Sequence, residues 1–295
     1  ILHGGCSGAD SLANKYANER DLYGLKYDGS KKPFSSFDEI PLLTKDDLIN
    51  FTIEHKKEIY SPYTSPYINK LHTSGSWKKV GFPYCTDSNE MDTAFNELWE
   101  TQLFKEIGFP QIIIQPDFGM TDHFYETENQ LKERKKTFDK NRPKDYELVK
   151  NEVESYGEQP ILFIGNFDWL LWIVSFNLCY KDNHYLCVMP KETGVSEALL
   201  KPPFVDKKII SVFATTEIGI VGYKSNWRCN VNGYHIYRSD CYIEIFNGKL
   251  HGTFERKALP LIRYCLEDYG QLIDEPCTCG FTGKSFVWLG KVLSR

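Results

Sequence analysis

Ala258-Leu259-Pro260-Leu261-Ile262-Arg263-Tyr264, with Asp268 four residues further on, is the stretch on which the reading of this chain turns. An apolar run closed by polar residues predicts a strand that delivers one acidic side chain into a loop. A carboxylate so placed can accept two hydrogen bonds from the vicinal hydroxyls of a ribose; a turn-forming Asp fits the residue type equally well. Upstream, Ile209 to Ala214 is apolar and β-branched and runs straight into Thr215-Thr216-Glu217. A hydroxyl and a carboxylate just past a strand end suit a phosphate and its Mg²⁺, because a hard cation takes oxygen ligands and open α/β sheets bind ligands beyond their strand ends. A Thr-Glu pair also commonly starts a helix as a cap.

Working outward, the chain has 295 residues, which suggests about two domain-sized units. Hydrophobic residues make up 41%, enough for a sizeable core. The formal charge is −5 and no basic tract is long enough for a nucleic-acid footprint; Lys132–Lys136 reads as a solvated face of a polar helix. No apolar run reaches 18 residues. Ile161 to Leu178 is broken by Gly165, Asn166 and Asp168 and reads as a buried strand followed by a core helix, not a membrane span. Nine cysteines in a chain of this size point to reduced thiols, hence to a cytoplasmic protein. No signal peptide is visible at the start.

Local patterns predict further elements. A helix is expected over Ala9–Arg20. Thr44 caps a helix from Lys45, with Asp47 completing a capping-box pair. Tyr60 to Lys79 reads as a polar loop. Met91 to Ile107 carries apolar residues at helical spacing, Gln111–Ile114 is a short strand, and Glu128–Lys136 and Asp145–Tyr156 read as surface helices. Tyr242–Phe246 alternates and is followed by Asn247-Gly248, a hairpin turn. The helix-rich part, 1–210, thus precedes a strand-rich part, 211–295, in one continuous core.

Two further groups of residues bear on chemistry. His72-Thr73-Ser74-Gly75-Ser76 offers backbone N–H groups and hydroxyls to phosphate oxygens, or is an ordinary Ser/Gly turn. Cys277-Thr278-Cys279-Gly280, with Cys229 and His235 upstream, has the donors for a tetrahedral Cys₃His zinc site; four unligated buried side chains fit the composition as well. Cys241 competes for a ligand position, although it precedes the alternating strand and is expected to face the core.

Taken in order, TSGS, FATTEIG, ERKALPLIRYCLEDYG and CTCG with WLGK resemble the signature segments of the phenylacetate–CoA ligase branch of the adenylate-forming enzymes, and IPLLTKDDL resembles that family's N-terminal segment. The resemblance covers about residues 36–80 and 205–291. It implies an α/β fold, the large N-terminal domain of an adenylate-forming enzyme, with β-sheets flanked by helices and a small strand-rich C-terminal portion. It implies ATP-dependent activation of an apolar or aryl carboxylic acid as an acyl-adenylate, then transfer to a thiol (CoA or a carrier protein) or an amine. By this resemblance Thr73, Ser74, Gly75, Ser76, Phe213, Ala214, Thr215 and Thr216 line the nucleotide site, Thr216 and Glu217 contact phosphate and Mg²⁺, and Asp268 holds the ribose of ATP or AMP. Phe213 stands where the family more often has Tyr, and Ala214 where Gly is usual. A structural zinc on Cys229, His235, Cys277 and Cys279 is implied too. Trp169 and Trp172 are read either as core or as a wall of the acid pocket.

The sequence departs from the family at two places. TSGS runs into Trp77-Lys78-Lys79 without the family's second Gly and Pro, which means either a degenerate loop or residues missing after Ser76. The family's small C-terminal domain, whose lysine contacts the transferring groups, is absent from the chain up to Arg295. Two rival readings follow: an adenylation-like domain that binds nucleotide without turnover, and a zinc-stabilised binding module with no nucleotide site.

Overall fold

The computed structural model describes residues 37–55, 68–72, 83–87, 90, 96–108, 112–116, 135–138, 144–189, 195–215, 217–254, 256 and 261–291. The expected helix over Ala9–Arg20, the TSGS residues Thr73–Ser76 and Thr216, expected at the phosphates, lie outside them.

Among the described residues eleven strands form one sheet, in the order β10-β11-β12-β13-β9-β8-β7-β6-β5-β3-β4. Its first half is parallel: β3 (Ile112–Pro116), β4 (Lys135–Phe138), β5 (Ile161–Gly165), β6 (His184–Val188) and β7 (Lys208–Thr215). Its second half is antiparallel: β8 (Gly219–Ser225), β9 (Tyr234–Ile236), β10 (Cys241–Phe246), β11 (Lys249–Phe254), β12 (Leu261–Ile273) and β13 (Ser285–Lys291). The change occurs at β7, which pairs parallel with β6 and antiparallel with β8 and runs through residue 210 unbroken. A separate pair, β1 (Ile68–His72) and β2 (Pro83–Asp87), is antiparallel.

Within the parallel half β3, β5, β6 and β7 are buried on both faces, as near-continuous apolar strands must be. All five residues of β5 are buried. Alternation sends them to opposite sides. Ile161 and Phe163 join Ile112, Ile114, Leu186, Val188 and Ile209 under α3 (Tyr146–Ser155) and α4 (Phe167–Ser175). Leu162 and Ile164 join Ile113, Cys187, Ile210, Val212 and Ala214 against Leu103, Phe104 and Ile107 of α2 (Gln102–Ile107). Each fully buried aliphatic side chain of this kind contributes about 1.5–3 kcal/mol relative to exposure. A third core, with Phe213, Ile218, Tyr234, Ile243, Leu250, Phe254, Ile262 and Phe286, fills the antiparallel half.

Caps appear where short polar side chains meet apolar runs. Asp145 accepts from the Leu148 amide at 3.3 Å and Asn166 from the Trp169 amide at 2.9 Å. At the start of α1 (Lys45–His55) the Thr44 amide donates to the Asp47 carboxylate at 2.7 Å, and the Asp47 amide to the Thr44 hydroxyl at 3.2 Å, a reciprocal capping box. Asn247 and Gly248, at φ 50° and 76°, make the two-residue β10–β11 turn, whose left-handed conformation these residue types tolerate.

Four expectations are corrected. Asp268 is not in a loop: β12 continues to Ile273, and Asp268 pairs with Lys291. The backbone is irregular inside the strand instead, with positive φ at Arg263 (52°) and Glu267 (59°) and a register shift at Tyr269–Gly270. The expected helix ending at Ile107 is interrupted, because Thr101 is extended (ψ 151°) and donates its hydroxyl back to the Leu98 carbonyl at 2.8 Å. Lys135 and Lys136 are in a strand at the end of the sheet order rather than in a surface helix. The polar loop over Tyr60–Lys79 contains β1.

Among the described residues no helix is long and apolar enough to cross a membrane.

Candidate functional site

β7 and its parallel neighbours end along one edge of the sheet, where α/β folds hold ligands. At the end of β7 successive side chains take opposite faces. Phe213 packs edge-on against Phe286 at 5.0 Å and beside Tyr234 at 5.8 Å, while Ala214 belongs to the core under α2. A bulge at this point, with Phe213 opposite Gly222 and Ala214 opposite Ile220, re-aims the residues that follow. The Thr215 hydroxyl is buried and has no hydrogen-bond partner among the described residues.

Glu217 is 7% exposed, and a carboxylate that deep needs compensation. Lys45 Nζ lies 3.5 Å from its Oε1, and the Tyr264 hydroxyl donates to the same oxygen at 3.5 Å. Burial, then the nearby charge of Glu217, drives the Tyr264 phenol well above its ordinary range. Glu267 precedes Asp268 in β12; burial raises its carboxyl most, Lys45 opposes that, and Glu217, Asp46 and Asp268 add to it. Asp268 Oδ1 accepts from Trp288 Nε1 at 2.8 Å across β12 and β13.

The loop after Glu217 is pinned by two buried arginines. Arg238 donates to the Ile218 carbonyl at 2.7 Å and Arg256 to the same oxygen at 2.5 Å, with Asp240 chelating Arg238. Burial and then the charge of Arg238 depress Arg256 to about 10. Arg263 clamps Glu244 through Nε (2.8 Å) and Nη2 (3.2 Å) and donates through Nη1 to the carbonyls of Asp38 (2.9 Å) and Ile40 (2.8 Å), so the N-terminal segment is stapled to β12.

Of the residues read from sequence, Phe213, Ala214, Thr215 and Glu217 lie at the end of β7 or just beyond it and Asp268 in β12. Lys45, Tyr264 and Glu267 beside them were missed as site residues. Lys45 was legible only as the start of a capped helix, and nothing local in the sequence links it to Glu217, 172 positions on. Trp169 is 2% exposed and packs in the core against Phe163, with its ring tight against Gly165, whereas Trp172 is half-buried and leans on Phe176.

The donor types at the end of β7 and just beyond it fit a hard cation: Glu217 offers carboxylate oxygens and Thr215 a hydroxyl without a partner among the described residues.

A second cluster lies between β8, β9 and the loop before β13. The donor atoms of Cys229, His235, Cys277 and Cys279 all lie within 4.8 Å of one another. His235 Nε2 is 3.3 Å from both the Cys229 and Cys279 sulfurs. Ligands about 2.0–2.3 Å from one tetrahedral centre would be about 3.5–3.8 Å apart, so the four atoms are nearly in place for one metal. His235 Nδ1 meets Ser285 Oγ at 2.7 Å, and the ring stacks on Phe281 at 4.5 Å. Burial lowers His235 to about 4, so the ring is a neutral donor. Burial raises the Cys277 thiol, but backbone N–H groups of Cys279 and Val231 outweigh it and bring the thiol to about 7. Gly280, at φ 86°, turns the Cys277–Cys279 loop, and its amide returns to the Cys277 carbonyl at 3.0 Å. Thr278 ties the loop to Asn230 (2.9 Å) and to the Arg228 carbonyl (2.6 Å). Cys241 is buried in the core of the antiparallel half and is not among the four.

No protein-family model matches the sequence, and no curated protein matches it. Solved structures do. A 2-hydroxyisobutyryl-CoA ligase in the postadenylation state, in complex with R3-HIB-AMP, superposes with a TM-score of 0.61 at 13% identity, over 96% of this chain and 65% of its own.

The fold is that of the adenylate-forming enzymes.

The same ligase in an open conformation, in complex with 2-HIB-AMP and CoA, matches over 96% of this chain and 72% of its own, again with a TM-score of 0.61 and 13% identity. An O-succinylbenzoate coenzyme A synthetase from Bacillus subtilis, in complex with ATP and magnesium ion, matches at 11% identity and a TM-score of 0.47, over 75% and 49%. The chain thus spans about two thirds of the length of the 2-hydroxyisobutyryl-CoA ligase.

Proposed function

We propose that this chain is the nucleotide-binding portion of an enzyme that activates a carboxylic acid with ATP and passes the acyl group to a thiol, CoA or a carrier-protein arm, or to an amine. The order of the segments around FATTEIG and ALPLIRY favours the phenylacetate–CoA ligase branch, and with it an apolar or aryl acid. The observation that carries the reading is the approach of the Tyr264 hydroxyl to Glu217 Oε1 at 3.5 Å, which joins the strand-end segment to β12 within an adenylate-forming fold.

In the first half-reaction a carboxylate oxygen attacks the α-phosphorus of ATP and pyrophosphate leaves. Asp268 accepts hydrogen bonds from the ribose and sets the α-phosphorus toward the acid, a positioning effect. Thr215, Thr216 and the Thr73–Ser76 loop donate to phosphate oxygens. Glu217 would hold a magnesium ion, which supplies positive charge where two anions must meet. Cys229, His235, Cys277 and Cys279 would hold a structural zinc; with four protein ligands it has no open position and stands outside the chemistry.

Carboxylate-dependent pyrophosphate exchange over a panel of aryl and fatty acids tests the activity. A thermal shift with ATP and Mg²⁺ but no exchange with any acid would instead assign an adenylation-like domain that binds without turnover, the reading favoured by the missing second Gly after TSGS. No thermal shift would remove the nucleotide site altogether.

A further inference from the structure

We infer that Lys45 is a positioning residue of the nucleotide site: its ammonium, seated on the carboxylate of Glu217, orients that carboxylate for the cation that accompanies the phosphates. The inference rests on the reading of Glu217 given above and extends it to a residue from the far end of the sequence.

Three observations carry it. First, Lys45 is 7% exposed, and lysine is almost never buried at this depth unless paired. Its ammonium faces Glu217 at 3.5 Å, with side chains 9% and 8% exposed. Secondly, the backbone that delivers it is over-determined. The Thr44–Asp47 capping box fixes the first turn of α1. The Leu43 amide donates to the Arg263 carbonyl at 3.1 Å, the Cys265 amide to the Leu43 carbonyl at 2.8 Å, and Leu43 bridges Tyr264. Arg263 holds the carbonyls of Asp38 and Ile40 from the other side. Thirdly, Lys45 and Tyr264 both meet Oε1 of Glu217, so two neighbouring segments define the direction of one carboxylate.

The charges acting on the neighbouring Glu267 are Lys45 against Glu217, Asp46 and Asp268, so carboxylates outnumber the ammonium there. Two effects of Lys45 oppose one another. A fixed ammonium reduces the pull of Glu217 on a second cation, and it also holds the carboxylate in one orientation among like charges that would turn it aside. The inference is that orientation dominates, since a buried carboxylate left without its cation must find another arrangement.

The test is a double-mutant cycle on the full chain, read by calorimetric binding of Mg-ATP and, separately, of AMP without metal. Lys45→Met is expected to weaken Mg-ATP at least about tenfold while AMP affinity stays within about twofold, and Lys45→Arg to restore most of the loss. In a Glu217→Gln background the Lys45→Met change is expected to have no further effect. Unchanged or tighter Mg-ATP binding by Lys45→Met overturns the inference, as does an equal loss for AMP and Mg-ATP, which would mark a merely structural lysine. Should Lys45→Met not fold, the Lys45→Met, Glu217→Gln double variant against Glu217→Gln alone still decides, because any further loss of Mg-ATP affinity there contradicts the coupling. A wild-type chain that binds neither ligand removes the nucleotide reading itself; normal wild-type binding, weakened by Glu217→Gln and untouched by Lys45→Met, removes only the role of Lys45.

Discussion

His235 Nδ1 lies 2.7 Å from Ser285 Oγ, and the two residues face one another in register across β9 and β13. Both are fully buried. The bond leaves Nε2 directed at the Cys229 and Cys279 sulfurs, which is how an outer partner orients a metal-binding imidazole. Ser285→Ala is therefore expected to weaken zinc by about 10–100-fold in a chelator competition. Zinc itself is expected at about one equivalent in protein purified without chelators, and its removal to lower the melting temperature, since closing a loop with a metal adds to folding stability. Less than about half an equivalent would count strongly against the site.

Asp268 tests the ribose assignment. Because Trp288 Nε1 donates to its carboxylate, truncation would disturb the β12–β13 pair as well as the ligand. Asp268→Asn keeps an acceptor for the indole and removes the charge. It is expected to weaken ATP and AMP by about 1–3 kcal/mol, the cost of losing hydrogen bonds to a charged group. Unchanged affinity in calorimetry would remove Asp268 from the site.

Arg263 bears on stability rather than chemistry. Its guanidinium is buried, bidentate on Glu244 and bonded to two carbonyls of the N-terminal segment. Arg263→Ala leaves Glu244 without its cation and two carbonyls without a donor, and is expected to cost about 3–5 kcal/mol in urea unfolding. A loss under about 1 kcal/mol would show that the N-terminal segment is held by its apolar contacts instead.

His184 sets an acid limit. It is 2% exposed at the start of β6, between the rings of Phe163 (5.7 Å) and Tyr180 (5.3 Å), where the backbone of Leu178 only partly offsets the cost of charging it. Burial, then Lys181, lowers it from 6.5 to about 4. The unfolded chain therefore binds the proton more readily than the folded one, so this residue lowers stability as pH falls from 6.5 toward about 4 and has no effect above that window. His184→Phe is expected to flatten that acid limb in melting temperatures measured across pH 4–7. An unchanged slope would place the acid sensitivity elsewhere.

Much of this architecture was legible locally, because its causes are local. The apolar runs at Ile161 and Ile209, the Thr44–Asp47 capping box and the Asn247-Gly248 turn each depend on residues within a few positions of one another. The order of FATTEIG, ALPLIRY and CTCG already pointed to the adenylate-forming fold, and the four metal-ligand candidates were nameable from residue type. Tertiary structure alone decided the rest. Asp268 stays in a strand because β13 pairs with β12 beyond it, a hydrogen-bonded partner that no local pattern reveals. Lys135 and Lys136 are extended because β3 offers an edge. Lys45 reaches Glu217, Arg238 and Arg256 share the Ile218 carbonyl, and Ser285 holds His235, each across a gap of 20 to 172 positions. Helix periodicity, caps and turns are short-range energies written into adjacent residues; the compensation of a buried charge depends on which distant segments the sheet brings together.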